Sequence, residues 1–520
     1  MSTTPSGTPA PRDTLKAVGL VAGPALGVLV YLLLPHASLD DAGLITNDGL
    51  THAARAAAAV GVLMATYWLT EAIPIPATAL LPAALFPLLG VLSVQDTAAR
   101  YAQDVILLFF GGFILGLAME RHGLHTRIAL TVVRFVGTSP GRLVAGFMLA
   151  SAALSGWVSN TATTLMMLPI GMSLISLVLR GANGDDSAEG GPAETDAAGR
   201  NFSTCLMLGI AYAASIGGIV TLIGTPPNVF LAGFVSEQLG QEISMQRWMA
   251  VALPLAVVFL PVCWLLLTRV VFPIRVRSIG GAAEELERAR KNLGRMSRGE
   301  WIVLTIFVCT ALAWVLRPQI QSLGEHLGYE SIASMRDSSI AIVAAMLLFV
   351  IPTDLKRLSF VMDWKTAERV PWGILILFGG GLALAKGISD TGVDVFIGNQ
   401  FGALAGVHPL VIVLAISATI IFLTEITSNT AIASAVLPVL AAVAAQLGMD
   451  PIRLLVPATI AASLAFMLPV ATPPNAIVFG SGRVTIGQMS RAGLWLNLIG
   501  IVLASLVGYF FAGYVVTPAG

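Results

Sequence analysis

Apolar residues run along this chain in blocks of about 17–25, separated by short polar or charged breaks; that is the length an α-helix needs to cross a bilayer. Breaks at Gly, Pro and charge clusters divide the blocks into predicted spans at 17–34, 54–69, 72–90, 104–120, 202–235, 249–272, 300–316, 338–352, 371–387, 452–480 and 490–515. Two more apolar regions, 140–179 and 407–447, carry Ser-Asn-Thr near their middles. A spanning helix would not set three polar residues side by side at its centre. A re-entrant helix–turn–helix hairpin would, because its tip needs turn chemistry. The pattern predicts an all-α polytopic membrane protein of about 11 transmembrane helices plus two re-entrant hairpins. A β-barrel would instead alternate in short segments.

The pattern also repeats. Phe110-Gly111-Gly112 recurs as Phe378-Gly379-Gly380, an offset of 268, and Ser159-Asn160-Thr161 recurs as Ser428-Asn429-Thr430, an offset of 269. Thr225-Pro226-Pro227-Asn228 recurs as Thr472-Pro473-Pro474-Asn475, offset by 247. A Gly- and Asp-rich stretch near 181–200, present in the first half alone, accounts for the shorter offset. An odd number of helices between the copies turns the second repeat upside down in the membrane. The predicted organisation is a tail and first helix over 1–53, a first inverted repeat over 54–272, a basic linker over 273–299 and a second repeat over 300–520.

Composition narrows the class. Apolar residues make up 56 % of the 520 and charged residues 11 %, where a soluble domain carries about a quarter charged. Net charge is zero, so bulk electrostatics point to no nucleic-acid partner. The basic stretch from Arg269 to Arg298 and the cluster Lys356, Arg357, Lys365, Arg369 predict cytoplasmic loops. Segment 35–50 has Asp40, Asp41 and Asp48 without Lys or Arg and fits the outside. The predicted setting is the cell inner (plasma) membrane, with the N-terminus cytoplasmic, the C-terminus extracytoplasmic and lipid as the surroundings. The first apolar block is followed by no small-x-small cleavage pattern, so it reads as an uncleaved helix. Cys205, Cys263 and Cys309 stand singly in apolar stretches and read as small core residues.

The chemistry sits in the four repeated motifs. Ser159 and Asn160 offer oxygen ligands, and a helix beginning near Thr161 presents free N–H groups; hard cations take the first and anions the second. Ser155 and Thr424 each precede a triplet serine by four residues, one helical turn. Two consecutive prolines free carbonyls upstream, so Gly224-Thr225-Pro226-Pro227-Asn228 and Ala471-Thr472-Pro473-Pro474-Asn475 read as unwound middles of two helices. None of the four motifs contains Lys or Arg. An anion there must be neutralised by backbone dipoles and co-bound cations, which couples the two. Among Glu71, Glu120 and Glu425, the first and last each follow a Thr beside a bend or motif and read as structural hydrogen-bonding groups rather than proton relays. His122 and His125 read as interfacial. No nucleophile–base pair or metal-ligand spacing supports an enzyme.

The two SNT triplets, the two TPPN breaks and the run from Trp68 to Pro82 (WLTEAIPIPATALLP) resemble the INDY-like divalent anion/sodium symporters. That family includes sodium–dicarboxylate, citrate and sulfate carriers. The resemblance covers about residue 54 to the C-terminus. It implies a homodimer in which a transport domain moves past a scaffold as an elevator. It also implies one Na+ on Ser155, Ser159, Asn160 and Gly224, and a second on Thr424, Ser428, Asn429 and Ala471. A small dianion would lie between Asn160, Thr161, Thr225, Asn429, Thr430, Thr472 and Pro473. The implied activity is sodium-coupled import of a C4 dicarboxylate. A sodium-independent exchanger, a sulfate carrier or a proton-coupled carrier of the same fold stands as the alternative.

Overall fold

The computed structural model describes residues 11–37, 49–182, 192–276, 281–402 and 406–516. Helices dominate. The first part runs α1 (Pro11–Leu33), α2 (His52–Thr70), α3 (Ile75–Thr78), α4 (Leu81–Leu88), α5 (Val94–Ala99), α6 (Asp104–Arg121) and α7 (Leu124–Val136). It continues with α8 (Pro140–Ser155), α9 (Asn160–Ala182), α10 (Pro192–Gly218), α11 (Pro226–Leu239) and α12 (Met245–Leu265). Between the halves lies α13 (Ala282–Asn292). The second part runs α14 (Arg298–Val315), α15 (Arg317–Leu327), α16 (Glu330–Ala333), α17 (Asp337–Val350), α18 (Trp364–Ala367), α19 (Trp372–Asp390) and α20 (Val393–Asn399). It ends with α21 (Pro409–Thr424), α22 (Asn429–Gln446), α23 (Ile452–Ala462), α24 (Pro473–Gly480) and α25 (Ile486–Phe511). Among the described residues, nine helical stretches are long and apolar enough to cross a membrane, and four shorter apolar ones accompany them.

The order of elements from α6 to α12 recurs from α19 to α25: a long helix, a short one, a hairpin, an interrupted helix and a last span. Both hairpins turn where the triplets sit, α8 into α9 and α21 into α22. Each hairpin's second arm crosses to the other half, so that α9 packs on α24 and α22 on α11. That exchange sets each hairpin's second arm against the interrupted helix of the other half.

Several expectations are corrected. The span at 72–90 is two short helices, because Glu71 closes α2 in the left-handed conformation (φ 49°) and Pro74, Pro76, Pro82 and Pro87 withhold backbone donors. Residues 352–360 leave the span predicted at 338–352 as a small antiparallel strand pair. The linker holds α13, whose Ala282 and Leu286 are buried and whose Glu285 accepts from Ser173 Oγ at 2.6 Å. The stretch at 181–200 is helical at both ends, with its middle outside the described residues. Cys205 and Cys263 are buried, but Cys309 is exposed on α14. Glu120 pairs with Arg369 at the end of α6 rather than standing alone in the apolar span. Within the segment assigned to the outside, 38–48 falls beyond the described residues.

The repeated Phe-Gly-Gly has a packing reason. A Cβ on Gly380 would lie 2.1 Å from the Ala79 carbonyl oxygen, and one on Gly111 would lie 2.7 Å from the Ala341 backbone. Backbones touch at both places, as small residues permit in membranes. Phe378 meanwhile packs edge-on to Phe109, joining α19 to α6. Gly380→Ala is expected to destabilise the fold by at least about 1–3 kcal/mol, the overpacking cost, because backbone rather than a side-chain tip must yield. A thermal melt in detergent checks it; an unchanged midpoint would contradict the close approach.

Candidate functional site

The site is built by two hairpin tips and two unwound segments. In the first half, α8 ends at Ser155 and the chain turns through 156–159, where Ser159 caps α9 by accepting from the Ala162 N–H at 3.2 Å. Ser155 is fully buried; its single hydroxyl proton is shared between the Ala214 carbonyl of α10 at 2.7 Å and the Asn160 side-chain oxygen. The broken helix lies against this tip. Thr221 donates to the Gly156 carbonyl, and a Cβ on Gly218 would fall 2.5 Å from Asn160 Oδ1. Only glycine at 218 leaves that amide room.

The segment 219–225 between α10 and α11 is held open by Asn228. Its two Nδ2 protons are shared among the carbonyls of Thr221, Ile219 and Gly218 at 2.8, 3.2 and 3.4 Å. The second half repeats this: Asn475 Nδ2 donates to the carbonyls of Leu468 and Ala465 at 3.1 and 3.3 Å. In both asparagines Oδ1 is buried without a hydrogen-bond partner among the described residues. Two buried acceptors left unpaired at matched places of the repeat call for an explanation. Thr225 and Thr472 sit in extended conformation just before α11 and α24. Thr472 accepts from the Asn475 N–H at 3.4 Å, while Thr225 Oγ1 lies 3.5 Å from Ser463 Oγ of the other half. That contact joins the two unwound segments directly.

The second tip differs in detail. Ser428 caps α22 through the Ala431 N–H at 3.4 Å. Thr424 is buried and bonds back to the carbonyls of Ile421 and Ile420 at 2.9 and 3.0 Å; spending its proton there leaves oxygen lone pairs free. Asn429 Oδ1 is buried without a hydrogen-bond partner among the described residues. Glu425 occupies the position matched by Gly156 in the first half. Its carboxylate accepts the consecutive backbone N–H groups of Phe466, Met467 and Leu468 at 2.7–3.0 Å and the Asn497 amide at 2.7 Å. The carbonyls of the same peptide groups turn away: Phe466 O receives the Tyr212 hydroxyl at 2.8 Å, and Met467 O that of Ser490 at 3.1 Å. Glu425 is therefore a clamp on 463–472, the structural role anticipated over a proton relay.

Of the other site residues, Thr161 is half-buried at the start of α9 and Thr430 buried at the start of α22. Gly224 and Ala471 are buried in the unwound segments, and Pro473 is exposed at the first turn of α24. Sequence reasoning missed Thr221, Gly218, Ser463, Tyr212 and Asn497. Their hydroxyls, amides and backbone contacts follow no repeat offset, so no signal marked them. Asn228 and Asn475 stood in the repeated motif, but their tethering of the carbonyls needed the fold.

Among the described residues there is no group of three His, Cys, Asp or Glu able to hold a metal. A cation at this site would be held by carbonyl, amide and hydroxyl oxygens. Those are hard neutral donors that fit Na+ and not a transition metal. The N-termini of α9, α11, α22 and α24 begin at the same four motifs, offering N–H groups and positive dipole ends to an anion.

Hairpins and interrupted helices from repeated halves, converging on neutral donors within apolar spans, define a polytopic membrane carrier. Residues 29–517 match the family described as the sodium:sulfate symporter transmembrane region, and the chain belongs to that family. A relative in Staphylococcus saprophyticus, named sodium-dependent dicarboxylate transporter SdcS, is 42 % identical over 496 residues, covering 95 % of this chain and 91 % of the relative. Its namesake in Staphylococcus aureus (strain MRSA252) is 41 % identical over 501 residues, covering 96 % and 92 %. The crystal structure of the Alcanivorax borkumensis YdaH transporter matches 96 % of this chain and 98 % of its own, with a TM-score of 0.57 at 16 % identity. That last likeness is one of fold alone.

Proposed function

We propose that this protein is a sodium-coupled secondary transporter of the plasma membrane. It imports a small divalent anion, a C4 dicarboxylate such as succinate, malate or fumarate. The observation that carries this reading is the matched pair of unwound segments. Each has a buried asparagine oxygen without a partner among the described residues beside a helix N-terminus and a capped hairpin tip. One Na+ is assigned to Ser155, Ser159, Asn160 and Gly224, and the other to Thr424, Ser428, Asn429 and Ala471. The dianion is assigned to Asn160, Thr161, Thr225, Asn429, Thr430, Thr472 and Pro473. The groups these residues meet are carbonyls, amides and hydroxyls, so bound cations supply the charge that offsets the cost of desolvating the anion. The names of the Staphylococcus relatives support both sodium and dicarboxylate.

The remainder of the reading is a homodimer with the N-terminus cytoplasmic and the C-terminus extracytoplasmic. Hairpins, broken helices, α12 and α25 move past the other helices as an elevator. Labelled succinate should enter proteoliposomes under an inward Na+ gradient and not when choline replaces sodium. Equal uptake in choline would sink the coupling and leave an exchanger.

A further inference from the structure

We propose that Arg100, Arg317 and Asp337 form an ionic latch on the α11–α12 corner that holds the mobile unit in the inward-facing one of its two positions. The proposal rests on the elevator reading above, in which α11 and α12 move while α5, α6, α14, α15 and α17 stay. The facing state follows from which arms are covered. Of the outer arms, α11 lies against the stationary α6 and α19, and α22 against α2 and α19. The inner arms α9 and α24 lie on each other and on α10, which travels with them. The site is therefore covered on its outer side, and the unit must leave this position before it can take up another anion from outside.

Three charged contacts pin the corner where α11 turns into α12. Arg100, between α5 and α6, pairs with Glu237 in the last turn of α11. Arg317, at the start of α15, reaches Glu242 of the turn at 2.5 Å and Asp337, at the start of α17, at 3.3 Å. Asp337 accepts from the N–H of Met245, the first residue of α12, at 2.8 Å; an amide at that position has no partner within its own helix. The parts differ in burial as a reversible latch requires. Arg317 and Asp337, both stationary, are 3 % and 5 % exposed, and each neutralises the other whether or not the corner is docked. Glu242 is half-exposed, so water can solvate it when the corner leaves. The mount also reaches the site. Trp314 Nε1 donates to the Asp337 carbonyl at 3.0 Å, and its ring lies parallel to that of Trp157 in the first hairpin tip, 6.2 Å away.

Labelling of a thiol placed on a covered outer arm tests the latch. Ala431 of α22 is 1 % exposed within an apolar cluster that α2, α4 and α19 share, so a hydrophilic maleimide reaches Ala431→Cys when α22 leaves that cover. The full chain carries this change with the exposed Cys309 replaced by alanine, and the buried Cys205 and Cys263 report the fold. Glu242→Gln should speed labelling at position 431 about two- to five-fold, as a half-exposed ion pair allows. Glu237→Gln and Glu242→Gln together should speed it roughly ten-fold. Both variants keep the Arg317–Asp337 pair, so their melting midpoints should match the parent. Arg121→Gln removes an ion pair with Asp363 that joins two stationary parts and should leave labelling unchanged. Unchanged labelling in a normally melting double variant overturns the latch. So does faster labelling at position 431, Cys205 and Cys263 alike, which is general loosening. Sodium-driven uptake by the parent is measured alongside: uptake without a labelling response sinks the latch alone, whereas a parent without uptake sinks the transport reading and the latch with it.

Discussion

Asn429→Ala is expected to stop sodium-driven dicarboxylate uptake while leaving the protein as stable as the parent. Its Oδ1 is buried and has no partner among the described residues, so its removal takes away no hydrogen bond seen there and relieves an unsatisfied group. On the assignment proposed above, what it loses is a ligand to an ion or to the anion, a charge-assisted contact of about 1.5–3 kcal/mol. Uptake at fixed sodium should fall by roughly ten- to a hundredfold, and the sodium needed for half-maximal rate should rise. Asn160→Ala is the control. That oxygen accepts from the Ser155 hydroxyl, so its loss should also cost about 1 kcal/mol of stability. Measured melting midpoints and sodium titrations together decide the matter. Normal uptake by Asn429→Ala, or a collapsed fold, would remove Asn429 from the site.

Glu425→Ala should have the largest effect on stability, about 3–5 kcal/mol, because it leaves three consecutive backbone N–H groups and the Asn497 amide without an acceptor. Glu425→Gln keeps the shape but offers one acceptor oxygen where the carboxylate has two, and points an NH2 at backbone donors. The unwound segment 463–472 should loosen, and the apparent sodium affinity should fall together with the rate. A proton relay predicts something else: loss of uptake with sodium binding and the fold intact. Thermal melts, sodium titration and uptake at several pH values on Glu425→Gln separate the two. The second pattern would overturn the clamp.

Much of this was legible in the residues. Apolar blocks of spanning length, paired triplets and paired prolines locate the hairpins and the interrupted helices, since backbone inside a bilayer must satisfy itself and prolines cannot. Where local chemistry is ambiguous the reading slipped. The block at 72–90 is as apolar as its neighbours, but Glu71 and four prolines divide it. Residues 352–360 pair as strands once the chain leaves α17.

The sequence by itself determined a helical membrane carrier with two matched halves, because span length, turn chemistry and repeat spacing are local properties. The tertiary structure alone decided which groups meet. Crossing of α9 onto α24 and of α22 onto α11, the clamp of Glu425 on 466–468 and the asparagines that hold unwound carbonyls all join parts far apart in the chain. No spacing encodes such contacts; they form where buried polar groups must find partners in a medium without water.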